Sequence, residues 1–119
     1  MSEQELPVGT LEQILGAKDS NEDYVNAPEW GCRVKVKGLS KAEQVRLRKQ
    51  STRSGKLDEA KMEGLVIVHG MVEPKITPDR VDALFEKSSG VVDRILLKIF
   101  ELSGMTDLQA EEADADFRD

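Results

Sequence analysis

The sequence predicts an α+β domain that is mainly α: about five short helices joined to a small N-terminal antiparallel β-hairpin. Three observations carry this prediction. Aromatic residues make up only 4% of the 119 positions, so the core must come from Val, Leu, Ile and Met, a set that suits helices better than a β-sandwich. Thr10-Leu11-Glu12-Gln13 and Ser40-Lys41-Ala42-Glu43 are capping boxes, in which the hydroxyl and the amide or carboxylate three residues on satisfy each other's free backbone N–H. Between the two boxes, Cys32 to Lys37 alternates apolar and basic residues with period two. The expected organisation is a flexible segment over 1–9, one domain over 10–105, and an acidic, disordered tail over 106–119.

The elements follow in order. Leu11, Ile14 and Leu15 recur at helical spacing after Thr10, and Gly16 stops that helix near residue 17. Lys18 to Asp23 reads as a loop, because Asp, Ser and Asn side chains compete for the backbone. Tyr24 to Ala27 and Cys32 to Lys37 pair as a hairpin around Pro28-Glu29-Trp30-Gly31. There Pro presets φ and Gly accepts a positive one. Cys32, Val34 and Val36 should face inward, and Arg33, Lys35 and Lys37 should face water. Ser40 opens a helix over 42 to about 53, with Leu39, Ala42 and Val45 facing inward and Arg46, Arg48, Lys49 and Arg53 outward. Residues 51–55 read as a loop. Asp58 caps a helix over 59–70 whose inner face is Met62, Leu65, Val66 and His69. The run Leu65 to Val68 also fits a buried strand. Gly70, Pro74 and Pro78 punctuate a connection, and Thr77-Pro78-Asp79 starts a helix with Val81, Leu84 and Phe85 inside. The last helix runs from Val91 to Leu102 and ends at Gly104.

That last helix is apolar around most of its circumference, more than one small core is expected to cover. Val92, Ile95, Leu96, Ile99 and Phe100 are therefore the candidate partner-binding residues, for a second copy or a helical client.

Charge is unevenly distributed along the chain. Residues 1–32 carry one Lys/Arg against seven Asp/Glu, residues 33–61 carry ten against three, and residues 62–119 carry six against thirteen, for a total of −6. A basic block in an acidic chain either reads a polyanion or pairs with acids of its own chain or a neighbour. The first alternative makes the protein a small nucleic-acid-binding regulator using a basic helix over 41–53. Against it, the block has neither interleaved aromatic residues nor a convincing recognition helix.

The other function classes find little support. Cys32 and His69 are the only residues of their types, and no motif accompanies either, so a Cys-His nucleophile is not expected. His69 with Glu73 is an incomplete metal set, and the scattered glycines form no phosphate loop. No catalytic residue, cofactor or metal is expected. A lone cysteine and a polar, acidic N-terminus fit a reducing cytoplasm, and no apolar run approaches the ~20 residues of a membrane span.

The order of these signals resembles a known family. Gln13-Ile14-Leu15-Gly16-Ala17-Lys18 precedes the hairpin. Gly38-Leu39-Ser40-Lys41-Ala42-Glu43 opens the basic helix, followed by Gly55-Lys56-Leu57-Asp58, by Gly70-Met71-Val72-Glu73-Pro74, and by the closing Leu102-Ser103-Gly104. Over roughly residues 10–104 this is similar to the XkdN-like tail assembly chaperones of long-tailed bacteriophages. The chain departs from them in a shorter connection after Pro74 and in the acidic tail. The resemblance implies a non-enzymatic protein of the host bacterial cytoplasm, absent from the mature virion. Its implied partners are the tape measure protein, which it coats, and the tail tube protein, to which it gives way; it also implies a homo-oligomer.

Overall fold

The computed structural model describes residues 5–105. The expected tail over 106–119 and the first four residues of the expected N-terminal segment lie outside them.

Both capping boxes form. Thr10 opens α1 (Leu11–Gly16) and Ser40 opens α2 (Lys41–Ser51), each hydroxyl accepting from the backbone N–H three residues on. Between them β1 (Glu22–Ala27) and β2 (Cys32–Lys37) pair antiparallel, joined by a 3-10 turn over Pro28–Trp30 that Gly31 closes at φ 68°. Val25 lies opposite Val34 in this pair. Residues 51–55, read from sequence as a loop, are instead the end of α2 and a very tight hairpin. In it β3 (Thr52–Arg53) pairs with β4 (Lys56–Leu57) around Ser54 and Gly55, both at positive φ.

Asp58 caps α3 (Glu59–Gly70) through its side chain, which settles the helix-or-strand ambiguity of Leu65 to Val68 in favour of helix. The chain then enters β5 (Met71–Glu73), a strand that the sequence reading took for part of a connection. It pairs antiparallel with β2, placing Met71 opposite Val36 and Glu73 opposite Lys35. A 3-10 turn over Pro78–Arg80 leads into the short α4 (Val81–Phe85), and α5 (Ser89–Ser103) completes the fold. The architecture is mainly α with one three-stranded antiparallel sheet, in the order β1-β2-β5.

The core lies between one face of that sheet and the helices. Val25, Val34, Val36 and Met71 meet Met62, Val66 and Ile67 of α3, Leu47 of α2, and the inner residues of α5. Three expected burials do not occur. Cys32 is exposed at the start of β2, although Ala27 opposite it is fully buried. On α2, Ala42 and Val45 are exposed, and Leu47 and Ser51 are buried in their place. Ser51 tolerates burial because its hydroxyl donates to the Leu47 carbonyl at 2.8 Å.

α5 explains its own composition. The sheet covers one side, while α3 and α4 cover others. Its C-terminus is fastened to the start of α2: Ser103 Oγ accepts from the Leu39 N–H at 2.7 Å, and Gln44 Nε2 donates to the Ser103 carbonyl at 3.1 Å. The backbones approach so closely there that a Cβ on Gly38 would collide with the Leu102 carbonyl.

Candidate binding surfaces

The five residues expected to bind a partner lie inside the molecule. Val92, Ile95, Leu96, Ile99 and Phe100 are between 0 and 6% exposed. The inference from sequence fails for a geometric reason: a three-stranded sheet and two further helices surround α5, so one small domain does cover an almost wholly apolar helix. Only Leu97, at 59% exposed, remains an apolar outward position on that helix.

Three other surfaces lie open on the molecule. The first is α1 with the segment before it. Leu6, Val8, Leu11, Ile14 and Leu15 are 63 to 98% exposed, and no residue of α1 is buried. Helical spacing correctly signals a helix here, but local spacing carries no information about what covers it.

The second is an apolar groove of about 310 Å³ between α3 and the segment that forms α4. Ala60, Gly64, Leu65 and Val68 form one wall, and Pro78, Val81 and Phe85 the other; Lys61 and Asp82 sit at the rim. The walls come together at Gly64, where a Cβ would sit 3.3 Å from Val81 Cγ1. Ala60 and Gly64, four apart on a helix, are the local sequence cue to this groove.

The third is cationic. Arg46 and Lys49 share the exposed face of α2, Arg53 and Lys56 face each other across the β3–β4 hairpin, and all four are exposed. Val45 and Leu57, 43% and 41% exposed, lie among them in sequence. Other cations of the basic block have partners in place. Lys35 pairs with Glu22 at 3.2 Å, Lys37 lies 3.9 Å from Glu43, and the Arg33 guanidinium stacks 3.9 Å from the centre of the Tyr24 ring.

Ion pairs also tie α5 to the hairpin. Arg94 grips Glu29 through both guanidinium nitrogens, at 2.9 and 3.1 Å, and donates to the Asn26 carbonyl as well. That grip, followed by backbone hydrogen bonding, holds the Glu29 carboxyl down at about 2. Lys98 pairs with Asp23 at 3.0 Å. Burial pushes the Glu63 carboxyl up, and the neighbouring carboxylates Asp93 and Glu59 add to the shift. His69 Nδ1 lies 3.9 Å from Glu43. Among the described residues no group of three or more His, Cys, Asp or Glu could hold a metal ion, and no helix is long and apolar enough to cross a membrane.

No family model, curated protein or solved structure matches the chain.

Proposed function

We propose that the chain is a non-enzymatic tail assembly chaperone of a long-tailed bacteriophage. In this role it holds apolar helical segments of the tape measure protein in the host bacterial cytoplasm until the tail tube protein replaces it. The observation that carries this reading is the α3–α4 groove. Its open apolar walls, with one charge of each sign at the rim, suit the apolar stripe of an amphipathic helix, which inserts side chains at i, i+3 and i+4. The order of motifs that resembles the XkdN-like chaperones supports the same role. Self-association would use surfaces other than the buried residues of α5, with Leu97 and the α1 segment exposed for it.

The test is co-expression of the full chain with a tape measure fragment, followed by affinity capture. Gly64→Leu places a side chain in the groove from a helix interior. Replacing glycine there raises helix propensity by up to ~1 kcal/mol, which offsets the shift of a few tenths of an ångström that Val81 Cγ1, 3.3 Å from the new Cβ, must make. The variant, its fold checked by circular dichroism, should lose most of its capture. Equal capture by a folded Gly64→Leu protein would refute the assignment of the groove. The competing nucleic-acid reading draws on Arg46, Lys49 and Arg53 and predicts tight, sequence-dependent DNA binding at physiological salt, which a fluorescence titration would detect.

A further inference from the structure

The four outward cations raise a question that the groove does not answer. Arg53 and Lys56 are directly opposite partners in the β3–β4 ladder, and a two-residue turn holds them there. Arg46 and Lys49 are neighbours at i, i+3 on α2. Like charges in both arrangements repel. Among the described residues, none of the four has a carboxylate within ion-pair distance. The surface is therefore built for an anion.

We infer that this anion is the chain's own C-terminal segment, residues 106–119, docking in cis along the outer face of α2 and the β3–β4 hairpin. That segment carries Asp107, Glu111, Glu112, Asp114, Asp116 and Asp119 against Arg118 alone. Its starting point is fixed. Met105 is buried and its N–H donates to the Phe100 carbonyl, while the preceding Ser103 is bonded to Leu39 and Gln44 at the first turns of α2. The chain thus leaves the body beside one end of the cationic stripe. From Gln44 to Arg53 is about 17 Å at most, seven helical steps of 1.5 Å to Ser51 and two extended steps of ~3.3 Å beyond it. Residues 106–110 span at most about 17 Å when extended, which brings Glu111 to Asp116 level with Arg53 and Lys56. Val45, four residues before Lys49 on α2, offers an apolar foothold beside the charges. Tethering gives the carboxylates an effective concentration in the ~mM range, an advantage that a free polyanion or a second copy lacks. The consequence is that the basic block is closed to adventitious polyanions.

The test compares the full-length protein with a full-length variant carrying Glu111→Gln, Glu112→Gln, Asp114→Asn and Asp116→Asn. In ¹⁵N-¹H spectra at low salt, amide shifts should differ over residues 45–57, independently of protein concentration. The difference should fade at about 1 M salt, where the screening length is about 3 Å. Heparin, as the polyanion probe, should bind the neutralised variant about tenfold more tightly than wild type at low salt. Adding Arg46→Glu, Lys49→Glu and Arg53→Glu should abolish that gain. Spectra that do not differ over 45–57, differences that grow with protein concentration, or equal heparin affinity of the two proteins would each overturn the inference.

Discussion

Gly70→Ala tests how tightly α3 and α5 are locked together. A Cβ at position 70 would lie 2.5 Å from Ile99 Cδ1 and 2.8 Å from both Cγ1 and Cγ2. Carbon atoms pack comfortably at about 3.5 to 4.0 Å, so one added methyl overlaps three atoms of one side chain by roughly 1 Å. Ile99 has no free space into which to retreat, being 0% exposed in the core between the sheet and α3. Two effects oppose each other. Replacing glycine by alanine in a helix gains up to ~1 kcal/mol, and less at a terminal residue such as this one. Overpacking a filled core costs ~1 to 3 kcal/mol. The clash wins, and a net loss of about 1 to 2 kcal/mol is expected, near 4 to 16 °C in melting temperature for a body of this size. Ile99→Val removes Cδ1, the atom nearest the added methyl, and alone costs ~0.5 to 1.5 kcal/mol. Combined with Gly70→Ala it should restore part of the loss, giving a coupling of at least ~0.5 kcal/mol. Urea denaturation followed by circular dichroism measures all four corners of this cycle. If Gly70→Ala is neutral or stabilising, or if the two substitutions add, the core yields more readily than its geometry implies and the packing argument fails.

Three further outcomes follow from the same contacts. Ile99→Asp buries a charge at a position with no exposure and should unfold the protein rather than disperse an assembly; a folded, monomeric Ile99→Asp would restore the idea of a shared α5 face. Ser103→Ala removes the acceptor of the Leu39 N–H and should cost ~1 to 3 kcal/mol, with faster hydrogen exchange at the Leu39 amide as the local signature. Glu29 stays ionised in the folded protein down to about 2, while the unfolded chain takes up that proton near the ordinary 4.5. The Glu29–Arg94 pair therefore contributes stability above pH 4.5 that is lost as pH falls toward 2. Melting temperatures of Arg94→Gln should fall less steeply than those of wild type over that window, and parallel curves would show that the pair carries no stability.

What the sequence revealed and what it concealed divide along a physical line. Signals written within a few residues were legible: the capping boxes at Thr10 and Ser40, the hairpin turn closed by Gly31, and the stop at Gly104 all form as the local chemistry dictates. Features set by distant parts of the chain were not. β5 is only three residues long and exists because Met71 and Glu73 find β2, a pairing without a local signature. The apolar residues of α1 and α5 look alike in pattern, yet one set is open and the other sealed. That difference depends on whether a sheet happens to lie beside the helix, which periodicity does not encode. On α2 the same limit exchanged Val45 for Leu47, since thin apolar stripes leave the helix free to rotate by a residue or two.

The charge blocks are where sequence and structure together say more than either alone. The basic block could have been a polyanion reader throughout or a counterweight to the acidic ends, and it divides into parts with different fates. Its strand cations, Lys35 and Lys37, are matched by Glu22 and Glu43, and Arg33 lies over Tyr24. Two further acids of the first block, Asp23 and Glu29, pair with Lys98 and Arg94 of α5. Exposed pairs of this kind contribute little stability each, but they fix which carboxylates remain for other cations. By that count Glu22, Asp23 and Glu29 are committed, and the outer face of α2 with its hairpin keeps cations whose mutual repulsion is not locally relieved. A surface left in that condition by an acidic chain selects anions, and the acidic segment inferred to supply them follows Met105.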